Sequence, residues 1–122
     1  MRIAFGLAVV LALVSAVLTL TARTSVGDAS EAALTLRAAD FAWQPDEAQV
    51  PGGSQVLLHN EDPYLHTFTI DALGIDQTLS PGSEALVTIP DEPGVYIFYC
   101  GPHTMNPEDP SEDDMAGRIT VT

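Results

Sequence analysis

The sequence predicts an all-β fold, a Greek-key β-sandwich preceded by an N-terminal hydrophobic segment. Short β-prone runs recur between Pro/Gly turns from Ala33 to the end of the chain. No ten-residue stretch of that region carries a convincing 3.6-residue apolar period. The one long apolar run, Ile3 to Leu20, stands apart from the strand-like region and holds no charge.

That run, IAFGLAVVLALVSAVLTL, follows Arg2 and precedes Arg23. A signal peptide has a hydrophobic core of about 7–15 residues, whereas about 18 or more uncharged apolar residues span a bilayer. Residues 1–22 are therefore assigned to a signal peptide or a membrane anchor. Gly27 and Ala29 supply small residues for cleavage after Ala29, while the length of the run favours a retained anchor. Either outcome places the rest of the chain outside the cytoplasm, periplasmic or tethered at the cell surface. A buried core helix is the poorer alternative, because a helix apolar all round needs more protein around it than remains. Residues 23–32 are small and polar and form a linker; residues 33–122 form one small domain.

Within the domain, Ala33 to Ala38 alternates inward and outward. Glu47 to Val50 runs into the turn Pro51-Gly52-Gly53, and Ser54 to His59 resumes a strand. His66 to Ile70 is β-branched and aromatic, and Pro81-Gly82 precedes Glu84 to Ile89. Pro93-Gly94 precedes Val95 to Tyr99, and Arg118 to Thr122 closes the chain. Six or seven such strands with no internal repeat read as an antiparallel sandwich.

Charge narrows the function. The chain holds 17 Asp and Glu against 4 Lys and Arg, a formal net charge of −13. From Ser30 onward the only cations of that count are Arg37 and Arg118. Nucleic acid and anionic membrane faces repel such a surface. It suits a basic protein partner or a high-salt medium that screens self-repulsion, and it weighs mildly for a monomer.

Cys100 is the single cysteine, so an exported domain has no internal disulfide. A lone exported thiol is an intermolecular bridge, a reactive group or a metal ligand. Its neighbours favour ligation: Tyr99-Cys100-Gly101-Pro102-His103 is followed by Met115 just before the last strand. A thiolate and an imidazole three residues apart on one loop can face a single ion, and Met115 can approach that ion along its axis. His66, at a strand start after Asn60-Glu61-Asp62-Pro63, supplies a second imidazole. Two His and one Cys in a trigonal plane with a long axial Met is the ligand set of blue-copper electron-transfer sites. Soft sulfur favours Cu(I) and imidazole suits Cu(II), so an intermediate geometry keeps the reorganisation on electron transfer small. His59 competes with His66 but lies within a strand run. Met105 competes with Met115, but a His-x-Met step is too short to return to the axial side. Trp43, Phe98 and Tyr99 read as core or near-core packing.

The segment Asn60 to His66, the Cys100-Gly101-Pro102-His103 core and Met115-x-Gly117-x-Ile119-x-Val121 resemble the cupredoxins, the family of plastocyanin, amicyanin, pseudoazurin and halocyanin. Phe41 and Val50-Pro51-Gly52-Gly53 share in the likeness, which covers about residues 33–122. The resemblance implies an eight-stranded sandwich, one copper ion cycling between Cu(I) and Cu(II), and an electron-shuttle role between extracytoplasmic redox protein partners. Carried over by motif, the metal ligands are His66, Cys100, His103 and Met115. Asn60 falls where the family often has a residue tying the two ligand-bearing loops together.

One departure stands out. The family usually places far fewer residues between the second His and the Met than the acidic insert Thr104 to Asp114 holds here. Such an insert forms an acidic lip beside His103 or opens the axial position to water. The expectation is thus an electron carrier and not an enzyme, since copper oxidases and reductases need a second copper centre with many more than 3 His. Copper delivery or storage is the alternative function, and a metal-free interaction module is the remaining one.

Overall fold

The structure, a computed structural model, describes residues 31–122. The N-terminal segment at 1–22 and nearly all of the linker lie outside the described residues. Among the described residues nine strands form two facing sheets: β1 (Leu34–Ala39), β2 (Ala42–Gln44), β3 (Glu47–Val50), β4 (Gln55–Asn60), β5 (His66–Ile70), β6 (Ile75–Leu79), β7 (Glu84–Thr88), β8 (Gly94–Tyr99) and β9 (Ala116–Val121). One sheet has the order β2-β1-β4-β7 and the other β3-β9-β8-β5-β6.

The expected sandwich is present, and seven of its strands coincide with the runs read from the sequence. Both sheets are mixed and not purely antiparallel, because β1 runs parallel to β4 and β3 parallel to β9. The crossing of the chain between sheets brings these strands alongside each other in the same direction. The nine strands exceed the eight implied by the resemblance. Two were not read from the sequence, namely β2, three residues long, and β6, an edge strand with Asp76, Gln77 and Thr78 at its centre.

Alternation decides which side chains meet between the sheets, because successive side chains on a strand point to opposite faces. On β4, Val56, Leu58 and Asn60 are buried in phase. On β5, His66 shares its phase with Phe68 and Ile70 and so faces inward. At the end of β8, Phe98 and Cys100 are both buried while Tyr99 lies between them, less buried. Trp43, Phe68 and Phe98 fill the centre at ring-centroid distances of 5.3–5.7 Å; each such pair contributes about 0.5–1.5 kcal/mol beyond its buried area. Gly117 sits opposite Phe98 across β8 and β9. A Cβ there would collide with the Phe98 ring and the Asp46 carbonyl, so this close approach requires glycine.

Strand register brings the chemistry to one end of the sandwich. Thr69 pairs with Tyr99 between antiparallel β5 and β8. Continuing that register sets His66 beside the short 3-10 turn Gly101–His103. Tyr99 pairs with Ala116 between β8 and β9, and one step further the Cys100 N–H donates to the Met115 carbonyl at 2.9 Å. Three separate segments therefore converge at the edge of the core.

Candidate metal centre

The ligating atoms of His66, Cys100 and His103 lie within 4.8 Å of one another. Cys100 Sγ is 3.2 Å from His103 Nδ1 and 3.6 Å from His66 Nδ1, and the two Nδ1 atoms are 3.1 Å apart. His66 and Cys100 have no exposed surface, whereas His103 is half-buried. One soft thiol and two imidazoles meeting at a point fit a transition-metal ion of the copper type better than a hard cation, which would seek oxygen. His59 stands outside this cluster, on β4, with Nδ1 3.7 Å from the Glu61 carboxylate.

Local hydrogen bonds hold the thiol. The Thr67 N–H donates to Cys100 Sγ at 3.3 Å, and the Gly101 N–H donates to Thr67 Oγ1 at 2.8 Å. Burial pushes the Cys100 thiol up despite these contacts. A thiol kept protonated in this way is a poor free nucleophile and gives up its proton when a cation is bound. Burial, and then the neighbouring His66, pushes His103 down, so its ring is neutral and available as a donor near neutral pH.

The acidic insert leaves and returns without separating its ends. The Met115 N–H donates to the His103 carbonyl at 3.2 Å, and Thr104 Oγ1 donates to the Met115 carbonyl at 3.1 Å. Within the insert, the Asp114 carboxylate accepts from the Met105 and Ser111 amides at 2.9 and 3.0 Å. These two bonds fold the segment back on itself. Met115 is 1% exposed and belongs to the core cluster, while Met105 is 95% exposed. Of these two, Met115 is the one whose backbone bonds to both Cys100 and His103. Beside His103, a cleft of about 640 Å³ opens between Phe41, Met105 and the acidic Asp109 and Asp113. A separate cleft of about 460 Å³ under the other side of the insert, lined by Trp43, Asp46 and Arg118, contains none of the donor atoms.

The surroundings of His66 contain two residues that sequence reasoning assigned otherwise or passed over. Asn60 is buried, and its Nδ2 donates to the carbonyls of Tyr64, Leu79 and Ser80 at 2.7, 3.1 and 3.2 Å. It thus ties the His66 loop to the β6–β7 turn and not to the Cys100 loop, whose tie is Thr67. In the sequence Asp62 stands out only as part of the Asn60-Glu61-Asp62-Pro63 segment before His66, yet its Oδ2 accepts from His66 Nε2 at 2.8 Å. The i,i+4 spacing of Asp62 and His66 across Pro63 was its one sequence signal. Burial would raise the Asp62 carboxyl. The Phe41 amide, the His66 ring and the Asp40 amide outweigh burial and hold it below the usual carboxylate range.

Phe41 packs against the site. Its ring lies edge-on to His103 and His66 at centroid distances of 5.0 and 5.7 Å and stacks on Tyr64 at 4.9 Å. Both residues of the β1–β2 turn have positive φ, 55° at Asp40 and 58° at Phe41. Such a conformation costs about 1–3 kcal/mol at a bulky residue. Hydrogen bonds to a charged group contribute about 1.5–3 kcal/mol each, so the two bonds from these amides to Asp62 are large enough to offset it.

The family model described as a cupredoxin-like domain matches residues 8–121. The chain belongs to the cupredoxin family. No curated protein sequence matches it significantly. Among solved structures, the cupredoxin fold is shared with an oxidised amicyanin variant at TM-score 0.59 and 20% identity, covering 80% of this chain and 87% of that one. A purple cupredoxin from Nitrosopumilus maritimus aligns at TM-score 0.55 and 19% identity, covering 73% and 99%. A copper-containing nitrite reductase from Thermus scotoductus SA-01 aligns at TM-score 0.58 and 20% identity over 73% of this chain. This cupredoxin spans only 22% of that reductase chain. Cupredoxin membership and the convergent thiol–imidazole donors together give the cofactor, one copper ion.

Proposed function

We propose that this cupredoxin carries single electrons between redox partners outside the cytoplasm, on a copper ion held by His66, Cys100 and His103 with Met115 as the axial ligand. The observation that carries this reading is the convergence of one thiol and two imidazole Nδ1 atoms, two of the three donor residues without exposed surface. Copper in such a site supplies a one-electron couple between Cu(I) and Cu(II). The protein's part is to keep the donors in place in both oxidation states. Strand ends hold His66 and Cys100, the insert's base holds His103 against Met115, and core packing limits their movement. His103 brings the site to the surface, where the Phe41 and Met105 side chains surround it. The acidic rim of that cleft suits a partner with a basic docking face, which speeds encounter more than it tightens binding.

Copper delivery is less well supported, because a delivery site needs donors that an acceptor can reach, and His66, Cys100 and Met115 are buried. A catalytic role is also less well supported. Among the described residues no second cluster of His, Cys or carboxylates suited to a metal is found. Among the same residues no helix is long and apolar enough to cross a membrane, so the extracytoplasmic assignment rests on the N-terminal run and family membership. The test is to cycle the copper-loaded full chain repeatedly between reductant and oxidant in the presence of a Cu(I) chelator. Retention of copper with reversible bleaching is expected. Transfer of copper to the chelator within the first cycles would favour the delivery reading.

A further inference from the structure

Among the described residues the buried polar or charged residues are Asn60, Asp62 and His66, and hydrogen bonds connect them in order, the first through the Asp62 backbone and the second through its carboxylate. The Asp62 N–H donates to Asn60 Oδ1 at 2.9 Å. Asp62 Oδ1 accepts from the Asp40 amide at 2.6 Å, and Oδ2 accepts from the Phe41 amide at 3.0 Å and from His66 Nε2 at 2.8 Å. The two amides can only donate, so both oxygens must accept, which a carboxylate does and an amide side chain does at only one of its two ends.

We propose that Asp62 is the positioning residue of the copper site, fixing through one carboxylate both the buried His66 ring and the Phe41 ring that covers the two imidazoles. The proposal rests on His66 being a ligand, as put forward above. Accepting the Nε2 proton leaves the His66 Nδ1 lone pair facing Cys100 and His103. Accepting both turn amides keeps Asp40 and Phe41 in their left-handed conformation, with the Phe41 ring against both imidazoles. A carboxylate behind a ligand imidazole also fixes its tautomer and ring orientation. The negative charge favours the more positive oxidation state, so Asp62 lowers the reduction potential.

Asp62→Asn keeps the shape and removes the charge. An Asn oxygen facing Phe41 and His66 turns its amide N–H toward the Asp40 N–H; the opposite orientation sets donors against Phe41 and His66. In the copper-loaded full chain, Asp62→Asn is expected to shift the Cu(II)/Cu(I) equilibrium toward Cu(I) by about tenfold, which is about 59 mV for one electron. Copper affinity is expected to fall by about 10–100-fold. An unchanged potential in a variant that still gives the parent's thiolate–copper band would overturn the proposal. Absence of that band from the unsubstituted protein would instead sink the ligand reading beneath it.

A second measurement does not depend on the variant folding. Nitrogen-15 spectra of the unsubstituted metal-free protein are expected to show His66 protonated at Nε2 and bare at Nδ1, with slow exchange of the Nε2 proton. A proton on Nδ1 instead would contradict the positioning role directly.

Discussion

His66 and His103 present two opposite surroundings around one candidate centre. His66 begins a regular strand, has no exposed surface and is fastened through Asp62 and Asn60 to the β1–β2 turn and the β6–β7 turn. His103 ends a short 3-10 turn, is half-buried, and carries the acidic insert on its C-terminal side. Its ring is held mainly by the edge of Phe41 and by the neighbouring donors. Such an asymmetry gives each imidazole a separate task. One wall keeps its geometry because its polar groups are satisfied inside the core, where leaving them unpaired is costly. The other wall is packed against solvent-facing side chains and borders an open cleft.

Truncating each imidazole in turn exposes the difference between the two walls. His103→Gly leaves a gap open to the cleft, so added free imidazole is expected to enter and restore the thiolate–copper spectrum. His66→Gly leaves a cavity sealed by the sheets and by Phe41, so the same imidazole concentration is expected to restore little or nothing. Absorbance titration with imidazole reads both variants. Equal rescue would show that the two sites are equally accessible and would remove the asymmetry.

The rim of the anchored wall carries an exposed ion pair. Glu61, next to Asn60, pairs with the exposed Arg37 guanidinium. The hydrogen bond from Arg37, more than the general attraction between the charges, holds the Glu61 carboxyl below its ordinary value. A carboxyl depressed on folding adds stability above its unfolded value, about pH 4.3, and loses it as pH falls through the folded value. Arg37→Gln is therefore expected to lower the urea midpoint slightly at pH 7, with the difference from the parent closing below about pH 4.3. Exposed ion pairs contribute little, so the site's spectrum is expected not to change. A spectral change would mean that the Glu61 end of the network reaches His66.

Much of this arrangement was legible in residues with few alternatives. Cys100 has no partner cysteine, His103 follows at three residues, and His-Thr-Phe-Thr-Ile alternates so that His66 falls on the inward face with Phe68 and Ile70. Seven strands were readable because Pro/Gly turns bracket their apolar alternation. Strand β6 was not, because an edge strand needs only one apolar face and its middle is Asp-Gln-Thr. The parallel pairings were also hidden, since local alternation is the same in parallel and antiparallel neighbours. The role of Asp62 depends on contacts with Asp40 and Phe41, 21–22 residues earlier, which no local pattern encodes. The positive φ at Phe41 was illegible for a related reason: an aromatic residue does not announce a left-handed turn, and here the distant carboxylate stabilises it.

In the proposed function His66, Cys100 and His103 bind one copper ion with Met115 on its axis, undisturbed by the long acidic insert. Absorption and electron paramagnetic resonance spectra of the full chain loaded with Cu(II) decide whether that ligand set forms. An intense blue thiolate-to-copper band with a narrow hyperfine splitting, abolished by Cys100→Ala, is the expected result. A pale or red protein with a wide splitting, or a band that survives Cys100→Ala, would contradict it.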